Sequence, residues 1–335
     1  MSTPHANAVS VVLVSYNSEQ TIAAAIDSIA SHLPDAQIVL VDNGSTDQTC
    51  QIAREQGSVE VLEGHGNVGF GAGVNVGARA ACGDLLLVLN PDAAILHANP
   101  ARLSELSAHR PVGMLGCVLH DGRRSRYLKY SEWGWRRELY WLMVLWFLVP
   151  REMHVRRPSS RLRRSRQWIS GAAFVVDRSE FLELGGFDES LFLYCEDVDL
   201  SRRYRADGAG VGTTDAIVVT HDGQGSEHGG HERIQGFALL SFLENIEKWD
   251  GSAAGRRSAR TVLRTLQALS LIVHLASLLP LVGGRAAAKA QSAALLRSSL
   301  LDCLDAPPVS GAYPRARATL SSLLRRSPST NVDSA

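Results

Sequence analysis

The chain has 335 residues, enough for one large domain or two modest ones, and its 45% hydrophobic content is that of an ordinary globular protein. Net charge is zero, yet residues 251–335 carry 11 Lys and Arg against 3 Asp and Glu, so the acidic balance lies in residues 1–250. Five cysteines (Cys50, Cys82, Cys117, Cys195, Cys303) without a C-x-x-C pair argue against a disulfide framework or a cysteine zinc site and for a reducing cytosol.

Met1 to Ala8 has no basic or apolar stretch of the kind a secretory signal needs. Val9–Val14 is an apolar, β-branched run that ends in Ser15-Tyr16-Asn17 and reads as a strand. Thr21–Ala30 has helical apolar spacing through Ile22, Ala25, Ile26 and Ile29. Gln37–Val41 is a second strand, ending in Asp42-Asn43-Gly44. Ser45 and Gln48 read as a capping box that opens a helix to about Gln56. Val59–Leu62 is a third strand, a helix is expected through Ala78–Cys82, and Leu85–Leu89 is a fourth strand ending in Asn90-Pro91-Asp92. Strands apolar on both faces, alternating with helices, predict a mainly parallel, Rossmann-like α/β sheet. Ligands bind such sheets beyond the carboxyl ends of the strands, where Tyr16-Asn17, Asp42-Asn43 and Asn90-Asp92 all fall.

The run Asn67-Val68-Gly69-Phe70-Gly71-Ala72-Gly73 fails the dinucleotide fingerprint, because the third glycine is replaced by Val74 or Val76 in either frame. A dehydrogenase is thereby disfavoured. The glycines either let backbone approach a ligand, with Asn67 and Asn75 as amide hydrogen-bonders, or pack a helix entry tightly.

Residues 133–167 combine Trp133, Trp135, Trp141 and Trp146 with an arginine cluster from Arg151 to Arg166. The apolar core of this segment is about 11 residues, too short for a bilayer that needs about 20. It reads as an interfacial insertion, or as a core helix followed by a charged loop. Beyond it, Trp168–Val176 reads as a strand, Phe181–Leu184 as the start of a short helix, 195–206 as a helix and Ala216–Thr220 as a last strand. The apolar run Leu266–Val282 is expected to lie at a membrane interface or form a tight hairpin in one leaflet, and residues 327–335 to be a disordered tail. The expected organisation is a catalytic domain over 1–250, a basic, apolar helical region over 251–326 that associates with a membrane, and the tail.

Three clusters carry chemistry. Asp92 is positioned as a ligand for a hard divalent cation that also holds a diphosphate, with Asn90 beside ribose or a metal-bound water. Glu196 and Asp197 open a helix, where its dipole favours the charged form and a carboxylate in a cleft can deprotonate a hydroxyl. His221, at a strand end, is a further metal ligand or a structural histidine.

The motifs Val-Ser-Tyr-Asn at 14–17, Val-Asp-Asn-Gly-Ser-Thr-Asp at 41–47, Asn-Val-Gly-Phe-Gly-Ala-Gly-Val-Asn at 67–75 and Leu-Asn-Pro-Asp at 89–92 recur in order with Gly-Gly-Phe-Asp-Glu at 185–189, Tyr-Cys-Glu-Asp-Val-Asp-Leu at 194–200 and His-Asp-Gly-Gln-Gly-Ser at 221–226. Together they resemble the family 2 glycosyltransferases of the GT-A fold, over about residues 9–250, and most closely the rhamnosyltransferase branch. The resemblance implies that Asp42 hydrogen-bonds a pyrimidine, with Tyr16 and Asn17 beside the base and diphosphate. Asp92 and His221 would hold Mg²⁺ or Mn²⁺. Asp197 would be the general base, with Glu196 the second choice, and Gly171 and Ala172 would lie under the sugar or acceptor. Asn90 stands where many members have the first Asp of Asp-x-Asp, which removes one anionic ligand.

The expected reaction is inverting, metal-dependent transfer of a sugar to an acceptor hydroxyl. The donor would be dTDP-rhamnose, or a UDP-linked hexose or N-acetylhexosamine. The acceptor would be a lipid-diphosphate-linked glycan in cell-envelope synthesis, met at the inner face of the cell membrane. A nucleotidyltransferase would need a basic glycine loop after the first strand, a glycosidase would not need a nucleotide cleft, and nothing suggests nucleic acid. A silent membrane-bound scaffold is the alternative outside enzymology.

Overall fold

The computed structural model describes residues 9–108, 111–120, 125–127, 129–131, 167–221, 231–261, 263–264 and 311–324. The interfacial insertion over 133–166, the apolar run 266–282 and the tail 327–335 lie outside them, as do residues 222–226 of the histidine motif. Among the described residues no helix is long and apolar enough to cross a membrane. Two compact units emerge: Met1–Glu138 with Pro158–Gly229, and Leu139–Arg157 with Gly230–Ala335.

The first unit is a nine-stranded sheet. In chain order its strands are β1 (Val9–Ser15), β2 (Gln37–Asp42), β3 (Val59–Leu62), β4 (Leu85–Leu89), β5 (Ala93–Ala98), β6 (Met114–His120), β7 (Ser125–Tyr127), β10 (Ala173–Asp177) and β11 (Val211–His221). Strands β8 (Lys129–Ser131) and β9 (Gln167–Ile169) pair separately. The spatial order is β3-β2-β1-β4-β10-β6-β11-β5, with β7 on β6. The parallel sheet expected from sequence holds for β3-β2-β1-β4. Beyond β4 the sheet is mixed: β10 runs antiparallel to β4 and β6, β11 parallel to β6, and β5 antiparallel to β11.

Successive strand residues point to opposite faces, so a strand buried on both must be apolar throughout. In β1, Val11 and Leu13 enter one core and Val12 and Val14 the other; Ile38 and Leu40 of β2 likewise oppose Val39 and Val41. Helix α1 (Ile22–His32) buries Ile22, Ala25, Ile26 and Ile29, the stripe its spacing predicted.

Helix α3 (Phe70–Ala80) lies so close to the sheet and to Phe187 that only glycine fits at three positions. A Cβ on Gly77 would sit 2.5 Å from Val12, one on Gly73 2.8 Å from Val14, and one on Gly71 2.8 Å from the Phe187 Cβ. Of the two readings the sequence left open for Gly71 and Gly73, the packed helix entry is the one observed.

Asn75 shares that role, which corrects its expected place beside a ligand. Its Nδ2 donates to the Phe187 carbonyl (2.9 Å) and to Glu189 Oε1 (3.0 Å), and its Oδ1 accepts the Phe187 amide (2.8 Å). The side chain is thus occupied in latching the Gly185–Glu189 turn onto α3. Asn75→Ala strands both backbone groups of the buried Phe187, and is expected to cost about 2–4 kcal/mol, read as a lower urea midpoint with unchanged slope.

Two further expectations are revised. Trp168–Val176 is not one strand, because Ser170–Ala172 form a turn between β9 and β10. Ser45 does not cap a helix: α2 runs Thr49–Glu55 and its N-cap is Gln48, without a side-chain cap bond.

In the second unit, helices His231–Asp250 and Pro314–Leu324 pack together. The fully buried Glu244 accepts from Arg315 Nη1 (2.9 Å) and from the Ala316 amide (2.8 Å) at the start of the second helix. Burial nevertheless holds its carboxyl above the usual carboxylate range. Helix 231–250, which the sequence assigned to the catalytic domain, belongs by its contacts to this unit.

Candidate active site

Strand directions bring the chemistry to one edge. The ends of β1, β2, β4 and β11 lie there with the starts of β10 and β5, because the latter two run the opposite way. Tyr16-Asn17, Asp42-Asn43, Asn90–Asp92, Gly171-Ala172 and His221 therefore converge.

On the β1–β2 side, two loops are bound to one another. Asn17 takes a left-handed conformation (φ 51°), its Oδ1 accepts the Thr46 amide (2.9 Å), and its own amide donates to Ser45 Oγ (2.9 Å). The Ser18 amide donates to Thr49 Oγ1 (2.7 Å), the Glu19 amide to Asp47, and the Gln48 amide to Glu19. Asp42 is 3% exposed and each of its oxygens already accepts two bonds: Oδ1 from the Ser15 and Ser45 hydroxyls, Oδ2 from the Gly44 and Ser45 amides. Its carboxylate is thus occupied in shaping the Asp42–Ser45 loop. Tyr16 is exposed beside it. Asn67 Oδ1 accepts the Gly69 amide (3.2 Å) and fixes the entry to α3.

On the β4–β11 side, pairing of His221 with Ala93 across β11 and β5 sets the histidine beside Asp92. His221 Nε2 lies 3.2 Å from Asp92 Oδ1 and 3.2 Å from Asn90 Nδ2. One buried carboxylate and one imidazole facing each other suit a divalent ion that keeps water or phosphate oxygens in its remaining positions. Among the described residues no group of three His, Cys, Asp or Glu side chains is gathered.

Helix α6 (Glu196–Asp207) supplies the acids. Asp197 Oδ2 accepts the Gly171 amide (3.1 Å) and Oδ1 its neighbour's, the Val198 amide (2.8 Å). Burial raises its carboxyl to about 6, against the pull of those amides. Glu196 is 5% exposed, and its Oε2 has no hydrogen-bond partner among the described residues. Burial, and then the charge of Asp197, push its carboxyl well above the usual range. Asp199, the third acid, pairs with Arg203 (2.9 Å). Burial also raises the Cys195 thiol, which leaves no thiolate here.

The turn Ser170–Ala172 connects the two sides. The Gly171 amide holds Asp197, and the Ala172 carbonyl accepts the Asn90 amide (2.9 Å). A second connection was invisible in the sequence: Gly69, at φ 90°, approaches Phe192 so closely that a Cβ would lie 2.2 Å from its carbonyl oxygen, which also accepts the Phe70 amide (3.1 Å). The consecutive left-handed residues Tyr194 (φ 68°) and Cys195 (φ 64°) were likewise missed, since neither is glycine or asparagine.

Residues 10–166 match the model of Glycosyl transferase family 2. Over those residues the chain is similar to the family 2 glycosyltransferases. The N-acetylglucosaminyl-diphospho-decaprenol L-rhamnosyltransferase of Mycobacterium tuberculosis is 32% identical over 197 residues, covering 52% of this chain and 62% of that relative. Rhamnosyltransferase WbbL of Escherichia coli is 24% identical over 221 residues, 63% of this chain and 82% of that relative. The glycosyltransferase domain has the GT-A fold: the mannosyltransferase PcManGT from Pyrobaculum calidifontis, solved with GDP-Man and Mn²⁺, superposes with a TM-score of 0.52 at 16% identity, covering 90% of this chain and 88% of that one. This chain thus spans about three fifths of the mycobacterial relative's length.

Proposed function

We propose that this domain transfers a sugar from a nucleotide diphosphate to an acceptor hydroxyl with inversion at the anomeric carbon. The observation that carries the reading is the Ser170–Ala172 turn, which ties one ionisable acid, Asp197, to the Asn90–Asp92–His221 cluster on the same sheet edge. Asp92 and His221 would hold Mg²⁺ or Mn²⁺; the mannosyltransferase of the same fold was solved with Mn²⁺. Bound there, the ion supplies Lewis-acid stabilisation of charge on the departing diphosphate. Asp197 takes the proton of the acceptor hydroxyl as its oxygen bonds to the anomeric carbon, and the bond to the diphosphate oxygen breaks with its electron pair leaving on the nucleotide. Tyr16, Asn17 and the loop ordered by Asp42 receive the nucleotide.

The names of the two rhamnosyltransferase relatives favour L-rhamnose, and dTDP-rhamnose is the proposed donor. The mycobacterial name makes a lipid-diphosphate-linked N-acetylglucosamine the proposed acceptor, reached at the inner membrane face. The test offers dTDP-rhamnose, UDP-glucose, UDP-galactose and UDP-GlcNAc with Mg²⁺ or Mn²⁺ and follows nucleoside diphosphate release, with EDTA and Asp197→Asn as controls. Metal-dependent release from dTDP-rhamnose is expected. Release only from a UDP sugar overturns the donor, and silence with every donor and the lipid-linked acceptor overturns the activity.

Because Asp197 must be ionised to act, kcat/KM should rise with pH to a plateau, with an acid limb near pH 6 and about a tenfold loss at pH 5. Stability should move the other way. Between about pH 4 and 6 the folded chain keeps a proton at Asp197 that the unfolded chain has lost, so stability falls as pH rises through that window.

A further inference from the structure

Large apolar side chains are almost all buried in the glycosyltransferase domain, yet Tyr194 is 37% exposed only three residues before Asp197. It is held in a left-handed conformation, as is Cys195 after it. Glycine adopts that conformation without strain and tyrosine does not, so a side chain retained there against the backbone's preference points to a use for the side chain. The surrounding loop is fixed at both ends: the Phe192 carbonyl accepts the Phe70 amide, and the Cys195 carbonyl accepts the Asp199 amide in the first turn of α6. The ring is therefore displayed from a set position rather than from a loose loop.

We propose that Tyr194 is the platform on which the pyranose ring of the acceptor stacks, setting its hydroxyl against Asp197. This rests on the transferase reading above. In a single displacement the base stands with the acceptor, on the face opposite the leaving group, so the acceptor ring must lie within a ring's width of Asp197. Tyr194 stands three residues before Asp197, in the left-handed turn that leads into the helix. One face of a pyranose is a patch of C–H bonds, and the negative face of an aromatic ring attracts their positive edges. Exposure suits this ring for a sugar that must arrive and leave at each turnover, whereas a core tyrosine such as Tyr204, 1% exposed, has no such surface to offer.

The test uses the full chain, dTDP-rhamnose, and N-acetylglucosamine diphosphate on a short lipid. Tyr194→Ala and Tyr194→Gly are expected to raise acceptor KM about tenfold, while donor hydrolysis without acceptor is unchanged. Tyr194→Phe keeps the ring and stays within about threefold of the parent. Tyr194→Gly also relieves the left-handed backbone, so its melting temperature does not fall, which a merely structural tyrosine would not allow. Acceptor KM within twofold in the Ala and Gly variants overturns the proposal, as does Phe behaving like Ala, or donor hydrolysis falling with transfer. A second arm needs no turnover: ligand-observed NMR should show saturation of the N-acetylglucosamine ring protons by the parent and its loss in Tyr194→Ala. Binding of that kind without turnover of any donor would sink the transferase reading and leave this site standing; no binding by the parent, or equal binding by both, sinks the site.

Discussion

Asp197→Asn is expected to lower the rate of sugar transfer by about 10²–10⁴-fold with little change in donor affinity. The amide is isosteric and can still accept the Gly171 N–H through its oxygen, so the link to the Asn90 side of the site survives. What is lost is the basic lone pair. Glu196 is a weaker base site: the side chain is buried, and burial, with the charge of Asp197, holds its carboxyl well above the usual range. Removing a negative charge beside it lowers the Glu196 pKa again, but burial, the larger cause of its shift, remains. Single-turnover transfer gives the rate and calorimetry with the nucleoside diphosphate gives the affinity. Glu196→Gln is the matched comparison and should retain activity within a few-fold. If Glu196→Gln collapses and Asp197→Asn does not, the base is Glu196 and the two roles exchange.

Gly69→Ala should be the most damaging single methyl group in the sheet domain, costing about 2–5 kcal/mol, a fall in melting temperature of roughly 5–20 °C. Two costs add. The backbone there (φ 90°, ψ 170°) is one that L side chains rarely adopt. The new Cβ would also lie 2.2 Å from the Phe192 carbonyl oxygen and 2.9 Å from its carbon, so the Phe192 backbone must retreat and its bond to the Phe70 amide is lost. Gly64→Ala isolates the first cost, because Gly64 has φ 93° and nothing within 4 Å of the added atom. It should lose only about 1–2 kcal/mol. Equal melting temperatures for the two variants would show that Phe192 yields freely.

The sequence was most informative where local chemistry and tertiary structure agree. Strands β1, β2 and β4 announce themselves because each is largely apolar on both faces, and the sheet edge follows from where their polar ends fall. It was least informative where pairing across long separations decides. His221 meets Asp92 only because β11 runs antiparallel to β5, and no local pattern encodes that. Ser170–Ala172 are small enough to pass for strand, so the turn that holds Asp197 was hidden. Ser45 and Gln48 have capping-box spacing, but Asp42 and Asn17 compete for Ser45 and win. Asn75 is polar at a ligand-like position, and only the fold reveals that Phe187 satisfies it.

The reversal of strand direction at β10 has a consequence for inheritance. On the proposed assignment, the donor is received by Tyr16, Asn17 and the Asp42 loop, all on the parallel half, and the acceptor by Tyr194 and Asp197, on the loop and helix that follow β10. The halves meet along the β4–β10 ladder, the Gly69–Phe192 contact, the Asn75 latch onto Phe187 and the Asn90–Ala172 bond. A change of acceptor preference can therefore arise in the second segment without touching the residues that would receive the nucleotide, so long as the groups that face Gly69, Asn75 and Asn90 keep their places.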